Sequence, residues 1–210
     1  MTRKINRFNW IAPYYDQLAA FIFGKSILEA QLCYLELIPP NAKILVLGGG
    51  TGKWISELIQ FNNTCKIWFV DASSKMVELA KDNLKDTEQV AFIHGAEDKI
   101  PKLQFDVIIT HFFLDMFTNQ QLYNLIGKLV NDTNSPSMWI AADFEKSKYW
   151  HALLLRFMFL FFRQSGTMDN NELPDWNAIL KSHRFKIAAS KSSFGKFIQS
   201  RLYVKRSLIN

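Results

Sequence analysis

The stretch AKILVLGGGTGKW, residues 42–54, decides the fold. Its KILVL portion is apolar after the first residue, as expected of a strand buried on both faces. Gly48, Gly49, Gly50 and Gly52 follow at once. Glycines at the carboxyl end of a buried strand let the backbone approach a ligand closely, and their spacing restricts which one. A phosphate loop of the G-x-x-x-x-G-K-[ST] kind is excluded, because Leu47 stands where its first glycine belongs and Trp54 follows Lys53 in place of Ser or Thr. A dinucleotide fingerprint, G-x-G-x-x-G, fits Gly48 and Gly50 but meets Lys53 where close helix-to-strand packing requires glycine, which disfavours NAD. The pattern present is G-x-G-x-G. It suits a backbone passing tightly beneath a bulky amino-acid moiety.

Outward from this loop, short apolar runs alternate with amphipathic helices. KWISELIQF (53–61) reads as a helix, KIWFVD (66–71) as a strand and SSKMVELAKDNL (73–84) as a helix opened by capping serines. VAFIHG (90–95) and FDVIITHFF (105–113) are strands, NQQLYNLIGKLV (119–130) is a helix, and SMWIAADF (137–144) is a fifth strand. After a second apolar helix, LPDWNAILKSHRF (173–185) is helical, and FKIAASKSS (185–193) and FIQSRLYVKR (197–206) are strands with no helix between them. Upstream, residues 15–38 carry apolar positions at helical spacing and stop at Pro39-Pro40. The expected architecture is α/β: a doubly wound, Rossmann-like, seven-stranded sheet, mostly parallel, with an antiparallel C-terminal hairpin strand. Ligands of such sheets lie beyond the carboxyl ends of the strands, where the glycines fall.

A length of 210 residues predicts a single domain. Its expected parts are an N-terminal helical lid segment (1–40), a core (41–145) and a final helix with two strands (146–210). Apolar residues at 49% and charged residues at 21% fit a globular chain and exclude the composition of disorder. The net charge of +6 is mostly dispersed, so nucleic acid is not the expected partner. Cys33 and Cys65 form neither a CxxC nor a His-rich cluster, so no metal site is indicated and a reducing cytoplasm is expected. MTRKINRFNW lacks the apolar run of a signal peptide. HALLLRFMFLFFR (151–163) is too short and too interrupted by Arg156 to span a bilayer. It is either a buried helix or a surface element that meets lipid or an oily substrate, so peripheral membrane contact stays open.

ILVLGGGTG, VDASSKM, FIHGAED and FDVIITHFFLDMF, in this order and spacing, resemble the successive motifs of class I S-adenosylmethionine-dependent methyltransferases. The resemblance is closest to the small-molecule group that includes the ubiquinone/menaquinone-biosynthesis enzymes, and RFNWIAPYYDQL (7–18) is similar to that group's N-terminal segment. It implies S-adenosylmethionine as cofactor and S-adenosylhomocysteine as product. Gly48, Gly49, Gly50 and Gly52 would line the methionine part, and Asp71 would bind the ribose hydroxyls. Ala72 and Met76 would flank the adenine, Ala96 and Glu97 would meet its edge, and Thr110 with His111 would face the amino group through backbone atoms. Val46 stands where the family usually has an acid, and GAE (95–97) where it usually has GDA.

Methyl transfer from a sulfonium needs alignment and water exclusion, and a base only where the nucleophile must lose a proton. The catalytic candidates at the strand ends are Asp115, His111 and Asp143. Capping of the following helix is the structural alternative for Asp115, but Thr118 and Asn119 are better placed for it. Tyr14, Tyr15 and His151 are candidates for holding a small acceptor beneath an apolar lid. The alternatives are a non-catalytic S-adenosylmethionine-binding module, suggested by Val46, and an NAD-dependent oxidoreductase.

Overall fold

The computed structural model describes residues 12–84, 87–132, 136–164 and 172–205; of residues 12–16, 18, 132 and 157–164 it describes the backbone alone. Seven strands form one sheet in the order β3-β2-β1-β4-β5-β7-β6. They are β1 (Lys43–Leu47), β2 (Lys66–Asp71), β3 (Val90–His94), β4 (Val107–His111), β5 (Met138–Phe144), β6 (Phe185–Ser193) and β7 (Ile198–Lys205). Strands β1 to β5 pair in parallel, and β7 runs antiparallel between β5 and β6. The sheet is thus the mixed one expected, with β7 inserted one place inside the edge. Because β1 lies between β2 and β4, the chain reverses its direction of travel there, and the crevice at the carboxyl ends of β1 and β4 is where ligands of such sheets bind.

The helices are α1 (Ala12–Phe23), α2 (Ser26–Leu32), α3 (Lys53–Phe61), α4 (Ser74–Asn83), α5 (Asn119–Asp132), α6 (Tyr149–Gln164) and α7 (Trp176–Ser182). Alternation along the strands sorts the core into two layers. Ile44, Val46, Ile67, Phe69, Val107 and Ile109 pack under α3 and α4, whereas Leu45, Leu47, Ile108, Trp139 and Ala141 pack under α5 and α7. A third cluster joins Phe144 and Ala142 of β5 to Phe23 of α1, Ala30 of α2 and Leu155 of α6.

Two local expectations change. The helix read over residues 15–38 is broken: Gly24 adopts φ +58° between α1 and α2, and Tyr34 turns left-handed (φ 69°) before a single 3-10 turn at Leu35–Leu37. Its apolar spacing continues across the break because Phe23 and Ala30, on either side, enter the same cluster. The strand read to residue 113 stops at His111, because Phe112 turns left-handed (φ 52°).

Asn62, at the end of α3, closes the turn before β1, its Nδ2 donating to the Pro39 carbonyl at 2.8 Å and the Ile38 carbonyl at 3.2 Å. It is buried, so Asn62→Ala leaves both carbonyls without that donor. The expected cost is about 2 kcal/mol, read as a lowered urea midpoint with an unchanged m-value.

Candidate functional site

The glycine loop leaves β1 with Gly48, Gly50 and Gly52 at φ +64°, +61° and +72°, and Gly52 precedes α3 as its N-cap. Two of these glycines show what the loop is shaped for. A Cβ on Gly48 would lie 2.5 Å from the Phe113 ring, so the loop must stay bare to let the turn after β4 close against it. A Cβ on Gly50 would meet nothing within 4 Å. Gly50 is left-handed over open space, a bare backbone surface facing outward from the sheet end. Asn83 at the end of α4 steadies the loop by donating from Nδ2 to the Thr51 carbonyl at 2.8 Å.

Asp71 ends β2 beside this loop. Its Oδ1 accepts from the Ser73 amide at 2.8 Å, and its Oδ2 lies 3.4 Å from the Gly50 amide, a long contact that leaves acceptor capacity. Helix capping is done by Ser73, whose hydroxyl accepts from the Met76 amide at 3.1 Å. Asp71 is half-buried at the end of β2, where loss of hydration pushes its carboxyl up to about 6, against the opposing pull of the Ser73 and Gly50 amides and His94. Beyond it, Ala72 is half-buried and Met76 is buried. The Gly95 amide donates to the Asp71 carbonyl at 2.9 Å, which holds the half-buried Ala96 and Glu97 alongside.

At the end of β4, alternation sends Thr110 and His111 to opposite faces. The Thr110 hydroxyl accepts from the Trp139 indole at 2.9 Å. His111 is buried edge-on against Trp54 of α3, ring centroids 4.6 Å apart, and neither ring nitrogen has a hydrogen-bond partner among the described residues. Burial lowers its pKa to about 3. The imidazole is therefore neutral at physiological pH and a weak base.

The left-handed Phe112 starts a tight turn, whose 3-10 segment Leu114–Met116 carries Asp115. Asp143 of β5 holds this turn: its Oδ2 accepts from the Leu114 amide at 2.8 Å and the Asp115 amide at 3.3 Å, and its Oδ1 from the Phe144 amide at 2.8 Å. Asp143 thus acts on the turn's backbone, which its position in the sequence does not reveal. Burial raises both carboxyls, Asp115 to about 7, and the nearby Asp115 carboxylate raises Asp143 further. Two adjacent buried acids lose their protons as a pair. Asp115, held at about 7, is the member of the pair that exchanges a proton near neutral pH, and its charge then keeps Asp143 protonated to higher pH. Thr118 caps α5 with Gln121 in a reciprocal box: its hydroxyl accepts from the Gln121 amide at 3.3 Å, and its amide donates to the Gln121 side chain at 3.0 Å.

The structure brings the glycines, Asp71, Ala72, Met76, Ala96, Glu97, Thr110, His111, Asp115 and Asp143 to the carboxyl-terminal edge of one sheet. His151 is placed differently. It is buried, and its Nδ1 accepts from the Ser147 and Lys148 amides at 3.0 and 3.2 Å, so it caps the start of α6. The side chains of Tyr14 and Tyr15 lie outside the described residues. No cluster of metal-ligating side chains occurs among the described residues.

Residues 44–131 match a family described as a methyltransferase domain. Among curated proteins, the polyamine aminopropyltransferase of Saccharolobus solfataricus is 37% identical over 65 residues, 31% of this chain. The matched segment is only 20% of that relative's length. Among solved structures, a chain of the complex between the Haloferax volcanii Trm112 methyltransferase activator and the putative methyltransferase superimposes with a TM-score of 0.72 at 12% identity, covering 96% of this chain and 99% of that one. Magnesium protoporphyrin IX methyltransferase from Synechocystis PCC 6803, with bound SAH, gives a TM-score of 0.64 at 17% identity over 85% and 82%. At these identities the likeness is one of fold.

Proposed function

We propose that the chain, whose residues 44–131 match the methyltransferase domain family, transfers a methyl group from S-adenosylmethionine to a small, apolar or aromatic acceptor. The observation that carries this is the bare, left-handed Gly50 beside the Asp71 carboxylate, which retains acceptor capacity. S-adenosylmethionine supplies, when bound, an activated methyl on a sulfonium. Gly48 to Gly52 would hold its methionine part and Asp71 its ribose hydroxyls. Ala72 and Met76 would lie against the adenine, Ala96 and Glu97 at its edge, and the backbone of Thr110 and His111 toward the amino group. Val46 is buried in the core, so the carboxylate that the family usually carries there is replaced by packing alone.

The chain's own contribution is to align the acceptor, exclude water and accept a proton where the nucleophile carries one. Asp115 suits that last task, because its pKa of about 7 matches the working pH and that of His111, about 3, does not. Asp143 positions Asp115 through the backbone of the turn. The apolar character of the acceptor is supported by the half-buried Phe112 and Phe113 rings of the turn that carries Asp115.

Calorimetric titration with S-adenosylmethionine and S-adenosylhomocysteine, followed by NAD competition, tests the cofactor. Saturable one-to-one binding is expected, and displacement by NAD alone would overturn the proposal. Labelled methyl transfer into cell extracts tests the acceptor. Label in the lipid and quinone fraction is expected, label confined to hydrophilic compounds removes the apolar acceptor, and binding without turnover favours a non-catalytic module. The local likeness to polyamine aminopropyltransferases favours a second reading, in which an aminopropyl group moves instead. Product mass separates the two.

A further inference from the structure

We infer that the first half of α6 docks on an anionic bilayer surface. Helix α6 presents two faces. His151 and Leu155 are buried against the cluster formed by Phe23, Phe144 and Phe197. On the other side Tyr149 is 99% and Leu153 61% exposed, with Trp150 at 45% between them. Phe61, 61% exposed, stands singly at the end of α3, whereas Tyr149, Trp150 and Leu153 fall within five residues of one helix.

The charge around these rings selects the occupant. Lys146, Lys148 and Arg156 are exposed, and Arg163 follows in the sequence, while no Asp or Glu occurs from residue 146 to 164. The adjoining acid, Glu145, is paired with Arg201, Oε2 accepting from Nη2 at 2.8 Å. A symmetric second copy would set these cations against their own images. Anionic headgroups neutralise them, and Trp and Tyr prefer the headgroup level of a bilayer. No described helix is long and apolar enough to cross a membrane, so α6 would lie in the interface plane. This docking stands independently of which group the domain transfers.

Flotation with vesicles of phosphatidylcholine, alone or mixed with phosphatidylglycerol, tests the inference. The protein is expected to float with the mixed vesicles and to dissociate as salt is raised. The pair Tyr149→Ser and Leu153→Ser, and separately Lys146→Glu with Lys148→Glu, should each reduce the vesicle-bound fraction about tenfold or more. These side chains are exposed, and an unchanged melting transition would show that the variants remain folded. Failure to float with the mixed vesicles, or variants that float as well as the parent, would overturn the inference. So would a dimer, found without lipid, that Leu153→Ser dissociates.

Discussion

Asp115→Asn is expected to lower turnover by about 10²- to 10⁴-fold, the range for loss of a positioned acid or base, while making the protein more stable at pH 8. Its two effects have one cause. Burial holds the Asp115 carboxyl at about 7, above its unfolded value of 3.8, beside a second buried acid. The folded protein therefore keeps a proton that the unfolded chain has released between about pH 4 and 7. Stability from this group is highest below pH 4 and declines as pH rises to about 7. An amide of the same shape carries no charge, so the substitution should add on the order of 2 kcal/mol at pH 8 and little at pH 4. The Asp115 amide that donates to Asp143 is unaffected, so the turn should keep its shape. Thermal melts at the two pH values, with S-adenosylhomocysteine release measured on the acceptor found in extracts, read both effects. Full turnover in the variant would remove Asp115 as the base. A loss of stability at pH 8 as large as at pH 4 would show that its carboxylate is held by partners that favour its charge.

Much of the fold is legible in residue order because its determinants are local. KIWFVD and FKIAASKSS become β2 and β6 with their predicted limits, since apolar runs bounded by turn residues have few alternatives. Ser73 and Thr118 cap the helices that their positions announce. The glycine loop and Asp71 are legible for the same reason: left-handed backbone beside a strand end requires glycine, and few other residues can serve there. What sequence conceals is set by distant partners. Phe112 adopts a left-handed conformation that bulky residues rarely take, with its amide donating to the Ala142 carbonyl at 2.7 Å, and nothing in HFFLDMF marks it. Asp143 looks like one more acid at a strand end until Leu114, 29 residues earlier, donates to it. His151 resembles a site residue for the same reason, and its role as a cap depends on two amides that only the turn into α6 brings to it.

Asp71→Ala should weaken binding of S-adenosylhomocysteine by about 1.5 to 3 kcal/mol, the range for hydrogen bonds to a charged group, which is roughly 10- to 150-fold. The same carboxylate predicts a pH dependence that its removal abolishes. In the free protein burial pushes the Asp71 carboxyl up to about 6. Ribose hydroxyls donate more strongly to the carboxylate than to the neutral acid, so binding pulls the pKa down and competes with the proton. Affinity should be constant above about pH 7 and fall by up to about tenfold per pH unit below 6. Asp71→Ala should show weaker affinity with no such slope. Asp71→Asn supplies the folding control, since its amide oxygen can still accept from Ser73 and keep β2 joined to α4. A folded Asp71→Asn variant with parental affinity at pH 7.5 would show that the ribose is held elsewhere. A slope that persists in Asp71→Ala would assign the titrating group to another residue, with the Asp115 and Asp143 pair the next to examine.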